Sequence, residues 1–215
     1  SQVRRQLGQD FDMSHFSPQY NPWDERLCAV PNGDLFKALR SGKGSVVTDH
    51  IDTFTEEGIL LKSGKTLEAD IIITATGLDI KLLGGVQLEK DGQPFDVTQK
   101  MIYKGAMLED LPNSAMVFGY TNSSWTLKAD IISEYVCNVL KHMDKTGKKY
   151  CVPINRDMNV EKTPFLDMHS GYIQRAASKI PRQGSKSPWR VYQNYPLDLA
   201  LSRVNKLNDG VIKFA

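Results

Sequence analysis

Three stretches of this sequence combine residue types that could do chemistry. The first is Trp23-Asp24-Glu25-Arg26-Leu27-Cys28. A guanidinium stays charged at any working pH, so Arg26 is suited to hold an anion or a developing negative charge. A plain ion pair with Asp24 or Glu25 is the structural alternative. Cys28 reads as a buried apolar thiol and not as a nucleophile. The second stretch is Ala69-Asp70-Ile71-Ile72-Ile73-Thr74-Ala75-Thr76-Gly77. Its glycine lacks a Cβ and lets the chain turn sharply and come close to a ligand or to a crossing chain. An ordinary strand with a glycine stop has the same pattern. The third is Gly119-Tyr120-Thr121-Asn122-Ser123-Ser124-Trp125-Thr126, directly ahead of the longest helical pattern. A helix start offers free backbone N–H groups and a partial positive charge, which favour a phosphate or the electron-rich edge of a reduced ring system. A well-capped structural helix also fits. Trp189 and Arg190 could stack on or bind an anion, or serve the core.

Other catalytic signatures are missing. The four histidines, His15, His50, His142 and His169, have no metal-ligand spacing. There is no GxSxG, HExxH, P-loop or GxGxxG, and Gly42-Lys43-Gly44 precedes a strand pattern where a dinucleotide loop would follow one.

The elements that must position these stretches are legible in outline. The segment from His15 to Trp23, with two prolines and three aromatics, is expected to be an ordered loop with aromatic anchors. Asn32-Gly33-Asp34 opens a short helix with Leu35, Phe36 and Leu39 on its apolar face and Gly42 as its stop. Val46-Val47 suggests a short strand. Ile51 to Phe54, Gly58 to Lys62 and Lys65 to Leu67, separated by Glu-Glu-Gly and Ser-Gly-Lys turns, predict an antiparallel meander. Ile71 to Ala75, apolar on both faces, predicts a central buried strand. Val86 to Lys90 and Pro94 to Val97 flank a hairpin turn at Asp91-Gly92, and Met116 to Gly119 is a further buried-strand candidate. Leu127, Ile131, Ile132, Tyr135, Val136, Val139, Leu140 and Met143 fall on one helical face, with Ser124 or Thr126 as cap and Gly147 beyond the end. Later, Ser170 to Lys179 suggests a helix and Gln183 to Pro188 a loop. Asn194-Tyr195-Pro196 starts a last helix, and Asn208-Asp209-Gly210 turns into a closing strand, Val211 to Phe214.

Composition narrows the function classes. The 215 residues are 40% hydrophobic and 24% charged, enough for a packed core and too apolar for general disorder. A formal charge of +2 gives no electrostatic footprint for nucleic acid or an anionic membrane. Cys28, Cys137 and Cys151 form no CxxC pair and no even framework, which points to a reducing, cytoplasmic setting. The apolar runs are too short to span a bilayer.

Taken together, HFSPQYNPWDERLCAVPNGDLFKALRSGK, LEADIIITATGLDIKLLGG, VFGYTNSSWTLKADIISEYVCNVL and GSKSPWRVYQNY resemble the carboxyl-terminal part of class B flavoprotein monooxygenases of the Baeyer–Villiger type, especially the bacterial ethionamide-activating group. The aromatic loop and the Tyr-Thr-Asn-Ser-Ser-Trp-Thr-Leu-Lys-Ala-Asp block carry the resemblance; Ala-Thr-Gly alone is common among flavoproteins. The resemblance implies an α/β protein, with α+β character in this part, built on two dinucleotide-binding domains for FAD and NADP. NADPH would reduce the flavin, oxygen would add to give a flavin peroxide, and the peroxide would insert oxygen beside a ketone carbonyl or oxidise a sulfur. Arg26 matches the family's active-site arginine, although the neighbour that is Lys in many relatives is Glu25 here. Thr76 and Gly77 match flavin-proximal positions. Thr126, Leu127 and Lys128 match the cofactor-facing helix start. Asn122, Ser123, Ser124 and Trp125 match the substrate-pocket wall.

Both glycine-rich dinucleotide motifs of the family and the signature between them are missing, so the chain reads as about the last two-fifths of such a protein. Residues 1–44 would be the aromatic loop and the end of the NADP-domain-like part. Residues 45–150 would be the FAD-domain-like part, and 151–215 a carboxyl-terminal extension. Alone, the chain is expected to bind neither FAD nor NADPH in stoichiometric amount. A non-catalytic association module that keeps this part of the fold, with a tendency to self-associate, is the alternative. A flavin disulfide reductase ranks last, because its chemistry needs a redox cysteine pair.

Overall fold

A computed structural model describes residues 2–21, 30–121, 123–166, 170–204 and 206–215. The chain forms two compact units, Ser1–Leu78 and Asp79–Ala215.

In the first unit, α1 (Gln2–Leu7) packs on α2 (Asp34–Arg40). Of the three aromatics expected to anchor the 15–23 segment, Phe16 packs between Phe11 and Phe36 at 5.9 and 6.1 Å, Tyr20 is exposed, and Trp23 lies outside the described residues. Asp12 caps the helical turn Met13–Phe16 by accepting from the Ser14 amide at 2.9 Å. The helix that Gly33 opens ends at Arg40, and Gly42 follows in the left-handed region at φ +70°. The meander is present as β1 (Ile51–Phe54), β2 (Gly58–Leu61) and β3 (Thr66–Glu68), antiparallel in that order. Gly58 is required there, because its φ is +149° and a Cβ would collide with the Leu67 carbonyl.

Two strand expectations in this unit fail. Val46-Val47 belongs to no strand. Ile71 to Ala75 is neither a strand nor buried: Ile71 is 81% exposed and Ile73 86%. The ladder ends where the Ala69 amide donates to the Glu57 carbonyl at 3.0 Å. Among the described residues no strand pairs with the isoleucines that follow, and a strand apolar on both faces needs neighbours to bury it.

The first strands of the second unit are β4 (Glu89–Lys90) and β5 (Gln93–Pro94). Asp91 and Gly92 both have positive φ, the geometry that a two-residue hairpin demands. A second hairpin, β6 (Ile102–Tyr103) and β7 (Met107–Leu108), is fully buried and organises the unit. Its side chains alternate between two cores. Tyr103 and its register partner Met107 join Met101, Ile132, Val139, Met143, Cys151, Trp189 and Ile212. Ile102 and its partner Leu108 join Leu111, Phe165, Ala176, Ile180 and Val191.

The long helix α3 (Trp125–Thr146) buries Ile132, Val139 and Met143 in the first core, while Leu140, expected on the same face, is exposed. Gly147 closes it at φ +65°. Met116 to Gly119 is not a strand; Met116 and Phe118 lean on the second core and Val117 faces outward. The extension from Cys151 packs into these same cores. β8 (Cys151–Pro153) pairs with the closing strand, and β9 (Lys162–Pro164) pairs with β10 (Arg182–Gly184). The expected loop therefore begins only after Gly184. α4 (Gly171–Ala176), α5 (Tyr195–Val204) and β11 (Ile212–Phe214) complete the chain. All named strand pairs are antiparallel, with one parallel bridge, Met101 to Arg182, so the described residues have the α+β character expected of this part. Among the described residues no helix is long and apolar enough to cross a membrane.

Candidate functional site

The segment from Gly119 to Lys128 lies wholly in the second unit and runs from the second core into the first turn of α3. Trp125, the first residue of α3, is 55% exposed and its indole lies against Gly119, where a Cβ would overlap the ring. Glycine at 119 thus sets the place of the tryptophan. Ser124 occupies the N-cap with extended backbone, but its side chain makes no capping hydrogen bond to the helix. Its hydroxyl instead pairs with Thr126 Oγ1 at 2.7 Å. Ser123, Ser124, Trp125 and Thr126 are exposed and Leu127 is half-buried. This helix start therefore offers first-turn amides that the Ser124 hydroxyl does not cap, beside an aromatic face and small hydroxyls.

Behind this exposed surface the segment is fastened to the carboxyl-terminal part of the unit. The Tyr120 hydroxyl donates to Asp198 Oδ2 at 2.7 Å. Lys128 Nζ donates to the same oxygen at 2.6 Å, and it stands 5.2 Å from the centre of the Tyr120 ring. The Thr121 amide and hydroxyl both donate to Gln193 Oε1, at 2.9 and 3.2 Å. Burial first, and then the bond to Asp198, raise the Tyr120 pKa above its ordinary value, so this phenol is held as a donor. Lys128 is only 4% exposed. Its stem passes over Gly105, whose φ of +67° and missing Cβ leave room for it. A cavity of about 130 Å³ lies behind α3, lined in part by Lys104, Lys128, Ile131, Tyr135, Asp198 and Leu201.

A second polar network lies nearby. Asp209 Oδ2 accepts from the Tyr103 hydroxyl at 2.8 Å and pairs with Lys104 Nζ at 2.9 Å. Asp209 Oδ1 accepts from the Val211 amide at 3.0 Å. Burial pushes the Asp209 carboxyl up, but Lys104, Tyr103 and the amide together outweigh it and leave its pKa below the usual carboxylate range.

Of the residues singled out from sequence, Ser123, Ser124, Trp125, Thr126, Leu127 and Lys128 are contiguous here, with the Lys128 ammonium turned inward onto Asp198. Thr76 and Gly77 lie in the first unit, both exposed, with Gly77 in the left-handed region at φ +97°. Arg26 and Asn122 lie outside the described residues. Trp189 is fully buried in the first core, a structural residue. Cys137 is exposed and Cys151 buried. Among the described residues, no group of three or more His, Cys, Asp or Glu side chains could hold a metal ion. Sequence reading missed Gln193 and Asp198. A carboxylate within the apolar run Leu197-Asp198-Leu199-Ala200-Leu201 was a usable sign of a buried partner, but the identity of that partner, 70 residues away, was not.

Similar sequences carry related names. The chain is 53% identical over 215 residues to a protein of Mycobacterium tuberculosis named as an FAD-containing monooxygenase, MymA, covering all of this chain and 43% of that protein. It is 52% identical over 213 residues to the FAD-containing monooxygenase EthA of Mycolicibacterium smegmatis, covering 99% of this chain and 43% of that one. It is 51% identical over 216 residues to EthA of Mycobacterium tuberculosis, covering all of this chain and 44% of that protein. No model of a known family and no solved structure matches. By sequence the chain belongs to the FAD-containing monooxygenases. Within them it falls with the EthA, MymA and AlmA group, and it spans under half the length of these relatives.

Proposed function

We propose that the chain is the carboxyl-terminal portion of an FAD- and NADPH-dependent monooxygenase that inserts oxygen into ketones or oxidises sulfur compounds. The observation that carries this reading is the start of α3, whose first-turn amides the Ser124 hydroxyl leaves uncapped beside an exposed indole. Such an end suits the electron-rich edge of an isoalloxazine, so the residues present fit FAD. When bound, FAD supplies electron transfer from NADPH to molecular oxygen.

The chain's own residues have separate tasks in this reading. The main chain at Thr126 and Leu127 donates toward the cofactor, while Lys128, the third residue assigned to the cofactor site, braces the helix from inside through its side chain. Asn122, Ser123, Ser124 and Trp125 form a wall of the substrate pocket. Thr76 and Gly77 allow the backbone to approach the flavin. Arg26 is the catalytic cation that stabilises negative charge as oxygen is transferred. The segments 1–44, 45–150 and 151–215 correspond to the NADP-domain-like end, the FAD-domain-like part and the extension. The working setting is cytoplasmic. The exposed isoleucines at 71 and 73 favour one further reading, in which the isolated chain associates with itself through this apolar stretch.

The test is made on the full-length protein loaded with FAD. NADPH-dependent oxygen uptake that yields an oxygenated ketone or sulfide product supports the proposal, as does the lack of both by residues 1–215 alone. Stoichiometric FAD binding with no oxygenated product from any ketone or sulfide would refute it.

A further inference from the structure

The polar contacts behind the α3 start belong to two residues of the extension, and neither faces the exposed surface of the segment. Asp198 holds Tyr120 and Lys128, the residues on either side of the 121–127 stretch. Gln193 holds Thr121 through both its amide and its hydroxyl. Among the described residues between them no comparable brace is found: Ser123, Ser124, Trp125 and Thr126 are exposed, and the Ser124 hydroxyl bonds to Thr126. The direction of the first-turn amides is therefore set by anchors at the two ends, while the Trp125 ring rests on Gly119.

We infer that Asp198 and Gln193 are positioning residues, which act through Tyr120, Thr121 and Lys128 to fix the geometry of the flavin- and substrate-facing residues 123–127. The inference rests on the function proposed above. Asp198 suits the task because one oxygen accepts from two donors on different elements, a phenol before the stretch and an ammonium inside the helix. A rotation of α3 away from α5 would break the Lys128 bond, while the Tyr120 bond holds the residue ahead of the stretch. Gln193 suits it because a single carbonyl oxygen collects the amide and the hydroxyl of one residue, which fixes that residue's backbone as well as its side chain. Misplacement by a fraction of an ångström at such a site lowers productive turnover more than it lowers cofactor binding.

The experiment uses the full-length, FAD-loaded protein with NADPH, oxygen and an aryl methyl sulfide. It follows how NADPH electrons divide between sulfoxide and hydrogen peroxide, the product when oxygen takes two electrons and two protons without transfer to sulfur. This ratio is set per turnover, so partial unfolding alone does not move it. Gln193→Leu removes the acceptor at a half-buried position and is expected to lower the sulfoxide-to-peroxide ratio about fivefold, what one ordinary hydrogen bond is worth. Gln193→Glu keeps an acceptor oxygen and should stay within about twofold of the parent. Asp198→Asn should lower the ratio at least as much; should it fail to fold, Gln193→Leu decides. Amide exchange across 120–128 should quicken in Gln193→Leu without loss of global stability. An active parent whose ratio and exchange are unchanged in Gln193→Leu overturns this inference alone. A parent that oxygenates nothing overturns the proposed function, and this inference falls with it.

Discussion

Replacing Lys128 by Met tests the structural logic of the site most sharply. The Lys128–Asp198 pair is separated by 2.6 Å, and the two side chains are only 5% and 10% exposed. Methionine keeps most of the four-carbon stem's packing over Gly105 and Tyr120, so the change removes chiefly the ammonium. What remains is a carboxylate with one donor, the Tyr120 hydroxyl, where it had two. Removing one partner of a buried pair costs about 3–5 kcal/mol. The low end applies here, because Asp198 also lines the cavity and water can reach it there. A loss of about 3 kcal/mol moves a urea midpoint down by about 1.5 M at an ordinary denaturant slope. The double variant Lys128→Met with Asp198→Leu removes the stranded charge as well and should recover at least about 2 kcal/mol of that loss. Equilibrium urea unfolding of the parent, both single variants and the double gives the coupling directly. If Lys128→Met costs under about 1 kcal/mol, the pair behaves like an exposed one, and the claim that it clamps α3 is wrong.

Gly184→Ala should be strongly destabilising. Its Cβ would stand 2.5 Å from the Cβ of buried Trp189 and 2.7 Å from Val160 Cγ1, and thermal unfolding should show a loss of about 1–3 kcal/mol. Asp209 gives a signed pH dependence. Its folded-state pKa is depressed, so its stabilising contribution is present above the ordinary carboxylate pKa of about 4 and fades as the pH falls through the lower folded value. Asp209→Asn should therefore flatten the acid limb of a stability–pH curve, and an unchanged limb would contradict the network drawn around Lys104 and Tyr103. Arg26→Ala, in the full-length protein, should abolish oxygen insertion and leave flavin reduction by NADPH largely in place. Separate measurement of the two half-reactions checks this, and undiminished sulfide or ketone oxidation removes Arg26 from the reaction.

The parts of this fold that were legible in the sequence are those whose signal is local. The β1–β3 meander, the Asp91-Gly92 hairpin, α3 and α5 with their flanking glycine, asparagine and proline, and the closing strand all follow from turn chemistry and periodicity. The failures share one cause. Ile71 to Ala75 and Met116 to Gly119 have the composition of buried strands, but composition does not supply the neighbouring strand that burial needs. The β6–β7 hairpin, which divides the two cores, went unassigned although Lys104-Gly105 between short apolar runs was a usable sign. Its strands are only two residues long, too short for alternation to stand out. In the candidate site, the serine–tryptophan helix start was visible from residue types alone. Its anchors were not, because they depend on contacts such as Tyr120 to Asp198, 78 residues apart, which no local pattern encodes.

The central claim is that this chain completes an FAD-dependent oxygen-inserting site. Its most direct test is isotope-labelled dioxygen supplied to the full-length, FAD-loaded protein with NADPH and a sulfide or ketone. The account predicts labelled oxygen in the product, in proportion to the NADPH consumed, and loss of that label in Arg26→Ala. NADPH consumption that leaves the product unlabelled, or labelled product undiminished in Arg26→Ala, would contradict it.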